Sequence, residues 1–339
     1  MTHNKNDSDP SRIQNLILFK HEIKETLKKE AEAFESVEQE DQIKLVYEIK
    51  PYGGNFRYSI MLLNQSTQPI TNVKIKIMFP GFLELHRCSP PTIIEDDSTR
   101  DKDKAQQVKL DFDELSKKSK KQINLYLVPR TLNHKGEIRT YVNFVNYQDY
   151  VRVLNSDPVD IIVPPLTIEK AIIPSSKIEE IYNDKDFKKA LKSYGVGIEG
   201  EDKEDKNDLY FNIMEQILRF HNMQLLAKDI KNRVLWYFGK CWNKNEIETS
   251  RQYEVLVIGQ IESNKIEFLI TSKNPEFLIS LSTIIASDLK RRILSTGIVK
   301  SVNDIYDLGC KNCGLALSSF PAKGESIECE NCNYDQIVW

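Results

Sequence analysis

Four cysteines near the end of this 339-residue chain have the types and spacing that bind metal. Cys310-Lys311-Asn312-Cys313 and Cys329-Glu330-Asn331-Cys332 are two C-x-x-C pairs with fifteen residues between them. A tight turn at each pair would bring four sulfurs to about 2.3 Å from one Zn²⁺ in a tetrahedron. Four protein ligands leave no open coordination position, so the expected role of the ion is structural. Gly314 and Asn333 follow the pairs and are the residue types that tolerate the positive φ of such turns. The segment also needs a staple. From 310 onward its large apolar side chains are Leu315, Leu317, Phe320, Ile327, Ile337, Val338 and Trp339. Segments below about 40 residues rarely fold alone. These residues predict a zinc ribbon, with a rubredoxin-like iron site as the alternative. Lys311 and Lys323 stand against Glu325, Glu328, Glu330 and Asp335. An acidic ribbon holding a tetrathiolate repels phosphates, so protein contact is the better expectation. Cys88 and Cys241 fall in strand-like runs and read as buried apolar side chains.

No other motif predicts chemistry. Gly195-Val196-Gly197-Ile198-Glu199-Gly200 matches G-x-G-x-x-G, but a dinucleotide fingerprint follows a strand and opens a helix. Here a helix-like stretch precedes it, and Glu201-Asp202 places negative charge where phosphate would sit. Gly239-Lys240-Cys241 lacks the upstream glycine and the Ser/Thr of a phosphate loop. The five histidines are scattered, and His221 reads as a satisfied side chain at a helix end. The carboxylates sit in charge runs, without an apolar setting that would shift their pKa values. With no catalytic constellation in view, the chain is expected not to be an enzyme.

Composition bounds the elements that must hold the site. Lys plus Arg is 47 and Asp plus Glu is 50, so the formal charge of −3 lacks the basic field of a protein that coats nucleic acid. No apolar run reaches the ~20 residues of a membrane span, and the first residues lack a signal-peptide core. A cytosolic setting with reduced thiols is expected, with any membrane recruitment peripheral and through partners.

Along the chain, residues 1–40 predict a polar tail and an amphipathic helix carrying Ile13, Leu16, Ile23, Leu27 and Phe34. This helix would pack on the chain's own domains or engage a partner. Residues 41–165 alternate with period two, as in Val73-Lys74-Ile75-Lys76-Ile77 and Ile138 to Phe144, and predict an antiparallel β-sandwich. Glu95 to Lys104 reads as a hairpin tip, and Gly200 to Asp208 as a solvated loop. Residues 166–298 mix periods. A helix is expected near Lys177, another over Tyr210–Leu218, and strands at Arg233–Cys241, Tyr253–Ile261 and Lys265–Ser272. A helix then starts at Asn274-Pro275-Glu276 and stops at Gly297. This predicts an α/β unit of helices flanking an antiparallel sheet, followed by the ribbon in 299–339.

The order β-sandwich then α/β unit resembles the appendage, or ear, of vesicle-coat adaptors, and most of all that of coatomer gamma. The turn Asn64 to Val73 leading into Ile75 and Ile77, the run Asp149 to Val163, and Leu218-Arg219-Phe220-His221-Asn222-Met223-Gln224 carry the resemblance. It spans roughly 43–294. It implies an immunoglobulin-like sandwich followed by a platform whose groove docks short linear motifs of accessory proteins, among them regulators of small GTPases. Ile178 and Tyr182 fall where the family's platform carries a Phe-x-x-x-Trp pattern, and here both aromatics of that pattern are replaced. Trp236, Tyr237 and Phe238 on the first platform strand offer an aromatic anchor, or simply alternate between core and surface. Ile178, Tyr182, Trp236 and Phe238 are therefore the candidate peptide-binding residues. Within these 339 residues no helical trunk like that of coat subunits is expected, and a ribbon follows the platform. The alternative function, resting on the cysteine spacing alone, is a zinc-ribbon protein linked to transcription or RNA binding.

Overall fold

The computed structural model describes residues 42–91, 105–197, 206–242, 252–262 and 265–338. The helix expected within 1–40, the tip at 95–104 and most of the charged stretch 200–208 lie outside the described residues. The chain is rich in β-structure.

The first nine strands form two sheets. β1 (Ile43–Tyr52), β2 (Asn55–Asn64), β6 (Ser119–Pro129) and β4 (Leu83–Ser89) run in the order β1-β2-β6-β4. β5 (Gln106–Leu115), β3 (Ile70–Phe79), β7 (His134–Val145) and β8 (Val151–Asn155) run β5-β3-β7-β8, and β9 (Val159–Val163) also pairs with β7. The alternation is the cause of the pairing. Val73, Ile75 and Ile77 point inward and join Tyr58, Ile60, Ile123, Leu125, Val142 and Phe144 in one apolar cluster, while Lys74 and Lys76 stay outside the core. Several buried polar groups in this unit are paired. Tyr58 Oη lies 2.8 Å from Thr140 Oγ1. The turn after β2 is built on Asn64, whose amide donates to the Gln68 and Leu115 carbonyls at 2.9 and 3.0 Å.

A seven-stranded antiparallel sheet follows. β10 (Thr167–Lys170), β13 (Val234–Trp242), β14 (Tyr253–Glu262), β15 (Lys265–Ser272), β11 (Lys188–Val196) and β16 (Ile305–Asp307) are neighbours in that order, and β12 (Gln224–Asp229) also pairs with β13. Helices α2 (Asn207–Phe220) and α3 (Pro275–Ser295) bury one face. The short helix α1 (Ser176–Asn183) packs on the other, over Phe238 and Leu256. The start of α3 matches its sequence chemistry: Asn274 Oδ1 accepts from the Glu276 N–H at 2.9 Å, and Pro275 opens the first turn.

Two expectations are corrected. The stretch before Gly195 is the strand β11, not a helix. Its alternation was masked by Lys192, which sits on the core side with Ala190 and Tyr194 and is buried by donating to Asn55 Oδ1 at 2.7 Å. The seven-stranded sheet also extends beyond 298, because β16 joins it as an edge strand paired with β11. A three-residue strand has no periodicity to read.

The two β units touch through α3. Ile279 of α3 belongs to the cluster between the first two sheets, while Phe277, Leu281 and Ile285 belong to the other core. The β1–β2 turn meets the same helix. Gly53 and Gly54 have φ of +55° and +79°, as a two-residue hairpin turn requires. A Cβ on Gly54 would lie 3.0 Å from Ala190 and 3.1 Å from Ser282 Oγ, so the close approach also selects glycine. No helix among the described residues is long and apolar enough to cross a membrane.

Candidate functional site

The four predicted ligands converge. The sulfurs of Cys310, Cys313, Cys329 and Cys332 all lie within 4.8 Å of one another. Cys310 Sγ is 3.7 Å from Cys332 Sγ, and Cys313 Sγ is 3.6 Å from Cys329 Sγ. A tetrahedron with metal–sulfur bonds of about 2.3 Å has sulfur–sulfur edges of about 3.8 Å, so the set fits one four-coordinate ion. No disulfide links them.

Each pair sits in the same kind of knuckle. In the first, the Cys310 N–H donates to the Leu315 carbonyl and the Gly314 N–H to the Cys310 carbonyl, both at 2.8 Å. In the second, the Cys329 N–H donates to the Tyr334 carbonyl at 3.1 Å and the Asn333 N–H to the Cys329 carbonyl at 2.8 Å. Gly314 at φ +81° and Asn333 at φ +53° occupy the positions where the sequence anticipated a left-handed residue. The strands β17 (Ser326–Glu328) and β18 (Asp335–Ile337) pair behind the second knuckle. Gln336 Oε1 accepts from the Lys311 N–H at 2.7 Å, tying the two knuckles together.

The thiols are electrostatically unequal. Burial pushes Cys310 up to about 11. Burial also raises Cys332, but the Tyr334 N–H and the neighbouring thiols outweigh it and bring the group down to about 7. The two remaining cysteines behave as the sequence suggested: burial pushes Cys88 to about 11 and Cys241 to about 12, so both stay protonated apolar side chains. His221 at the end of α2 is satisfied by Asp288 at 2.8 Å.

A second site lies on the face of the seven-stranded sheet that carries α1. A cavity of about 450 Å³ is lined by Ser175, Ile178, Glu179, Tyr182, Ala227, Trp236 and Ile258. It brings together three of the four residues singled out from the sequence: Ile178, Tyr182 and Trp236. Phe238 shares the face with Trp236 but is fully buried beside α1 with Ile181, Phe187 and Leu256, and does not line the cavity. Ala227 and Ile258 were not anticipated. The signal that finds them is register, since Ala227 pairs with Trp236 and Trp236 with Ile258. The same row continues through Leu269 of β15 to Leu191 of β11. At about 4.8 Å per strand, five strands make an apolar stripe about 19 Å long. Leu191 is 48% exposed and Tyr182 41%. Lys189 Nζ sits 3.9 Å from the Tyr182 ring centroid. The far end of the face is closed by the ribbon, whose Phe320 lies on Gly195 and stacks on Tyr306.

No protein-family model and no curated protein matches the chain. Solved structures show only distant likeness. The major pilin subunit BcpA of Bacillus cereus is 13% identical over 67% of this chain and 66% of its own, with a TM-score of 0.25. The sporulation control protein Spo0M of Bacillus subtilis is 7% identical over 76% of this chain and 97% of its own, with a TM-score of 0.19. At these values neither likeness bears on fold or function.

Proposed function

We propose that this chain is a non-enzymatic interaction module of the coat-appendage kind, which docks a short linear peptide on the α1 face of its seven-stranded sheet. The observation that carries the reading is the apolar cavity between α1 and Trp236, opening onto a stripe that no helix among the described residues covers along its whole length. Pockets of this size with few polar groups suit an apolar or aromatic anchor residue. The immunoglobulin-like reading of the first unit is supported by its sheet orders, β1-β2-β6-β4 and β5-β3-β7-β8. The platform reading of the second is supported by helices on both faces of an antiparallel sheet. A place in membrane trafficking, and partners such as small-GTPase regulators, rest on the family resemblance alone.

In the same reading the four thiolates hold one Zn²⁺ that stiffens the ribbon, because tetrathiolate sites of this spacing are structural. Metal analysis of the purified protein should return one zinc per chain, and visible absorption of a ferric tetrathiolate would replace zinc by iron. The docking reading is tested by selecting displayed peptides on the full chain. Peptides should be enriched on the wild type and lost on Trp236→Ala and Tyr182→Ala. Enrichment that ignores both substitutions, or none at all, overturns it.

A further inference from the structure

The metal site is gripped from outside the ribbon. In β4 the register shifts between Leu85 and Arg87, and bulges re-aim side chains. His86 and Arg87 both reach the ribbon from this point. Arg87 is 7% exposed, and its guanidinium carbon lies 3.4 Å from the centroid of the Tyr126 ring. Its Nη1 donates to the Asn312 carbonyl at 2.8 Å. On the other side is Gly314, where a Cβ would stand 2.6 Å from Arg87 Nε. Asn312 and Gly314 belong to the first knuckle, on either side of Cys313. His86 borders the residue just before that knuckle: its Nε2 lies 3.4 Å from where a Cβ on Gly309 would be.

Charge points the same way. Four thiolates around one divalent ion carry a formal −2, whereas four protonated thiols carry none. A buried cation beside the knuckle is therefore better compensated with metal bound than without. We infer that Arg87 of the first β unit is a positioning residue for the metal, so that metal binding and docking of the ribbon onto that unit are one coupled equilibrium. The inference rests on the four cysteines being a metal site. Coupling is reciprocal: whatever loosens Arg87 weakens the metal, and losing the metal frees Arg87.

The test uses the full chain and measures Zn²⁺ affinity by competition with a chromophoric chelator, with the Co²⁺ spectrum as the signature of the site. Arg87→Ala should weaken Zn²⁺ about 10–100-fold, the range for groups that support metal ligands. Arg87→Lys should recover part of the loss, since it keeps the charge but not the planar donor. Ile75→Val, in the same unit but far from the ribbon in sequence and pairing, should bind like the wild type. In the wild type, chelation should speed hydrogen exchange at residues 84–89. If Arg87→Ala fails to fold, Tyr126→Leu keeps the cation but removes its ring, and should still weaken the metal. Unchanged affinity in Arg87→Ala, or in Tyr126→Leu where that variant stands in for it, overturns the coupling, as does an equal loss in Ile75→Val or unaltered exchange at 84–89. If the wild type itself binds no metal, the metal reading fails as well, and the two failures are distinguishable.

Discussion

The two faces of the seven-stranded sheet are made from alternate residues of the same strands, yet among the described residues one is sealed by two long helices and the other is covered only in part, by α1 and the ribbon. Tyr237, Val257, Phe268 and Tyr194 lie on the sealed face under α2 and α3. Their neighbours Trp236, Ile258, Leu269 and Leu191 lie on the open face and keep part of their surface in solvent. Residue type does not explain the difference, because both rows are apolar. Cover explains it. An apolar side chain stabilises the fold only to the extent that something in the chain takes it out of water. Uncovered, it adds little to stability and remains available to an outside partner.

Metal removal should have the largest effect, because it opens the end of the open face closed by Phe320. Structural zinc contributes about 10–16 kcal/mol in small zinc-finger peptides. With chelator, hydrogen exchange should approach solvent rates through 308–338 while β13 to β15 stay protected. Protection that survives throughout the ribbon would mean its fold needs no ion.

Next comes truncation on each face. Phe268→Ala on the sealed face should cost about 3–5 kcal/mol in denaturant unfolding. Leu191→Ala on the open face should cost under about 1 kcal/mol. Equal costs would erase the distinction between the faces.

A smaller effect is expected where the ribbon meets the sheet. A Cβ on Gly195 overlaps the Phe320 ring, so Gly195→Ala should displace that ring at a cost of about 1–3 kcal/mol. A change in Tyr306 fluorescence and proteolysis in the ribbon would report it. The same variant leaving both unchanged would show that the ring moves freely.

The smallest effect is pH dependence, to which two covered histidines should contribute. Burial lowers His221, against Asp288 which raises it, and burial likewise lowers His86, against Asp307. Both fold in the neutral form. Their contribution is present above the ordinary value of 6.5 and is lost as pH falls through the lowered folded values. Urea midpoints should drop between pH 7.5 and 5.5, and His221→Gln should flatten part of that drop. A flat profile in the wild type would contradict both shifts.

Some of this was readable in the residues and some was not. The knuckles were, down to Gly314 and Asn333, because a C-x-x-C turn is settled within a few residues by its own backbone bonds. Helix α3 was readable for the same reason, through Asn274 and Pro275. The cavity under α1 was readable only in part. Trp236 stood out by type and Ile178 and Tyr182 only through the family resemblance, but Ile258 and Ala227 enter through cross-strand register, which is not written in any local window. Strand β11 was misread because its core-facing Lys192 is satisfied by Asn55, 137 positions away.

The chain's own residue order thus decided the two cysteine knuckles, the alternating strands and the capped helix, since each depends on contacts a few residues long. Tertiary structure alone decided which face of the sheet was sealed, that Arg87 reaches the first knuckle across 225 positions, and that β16 joins the sheet. Those outcomes depend on which surfaces meet once the chain has closed, and burial is a property of the meeting and not of the residue.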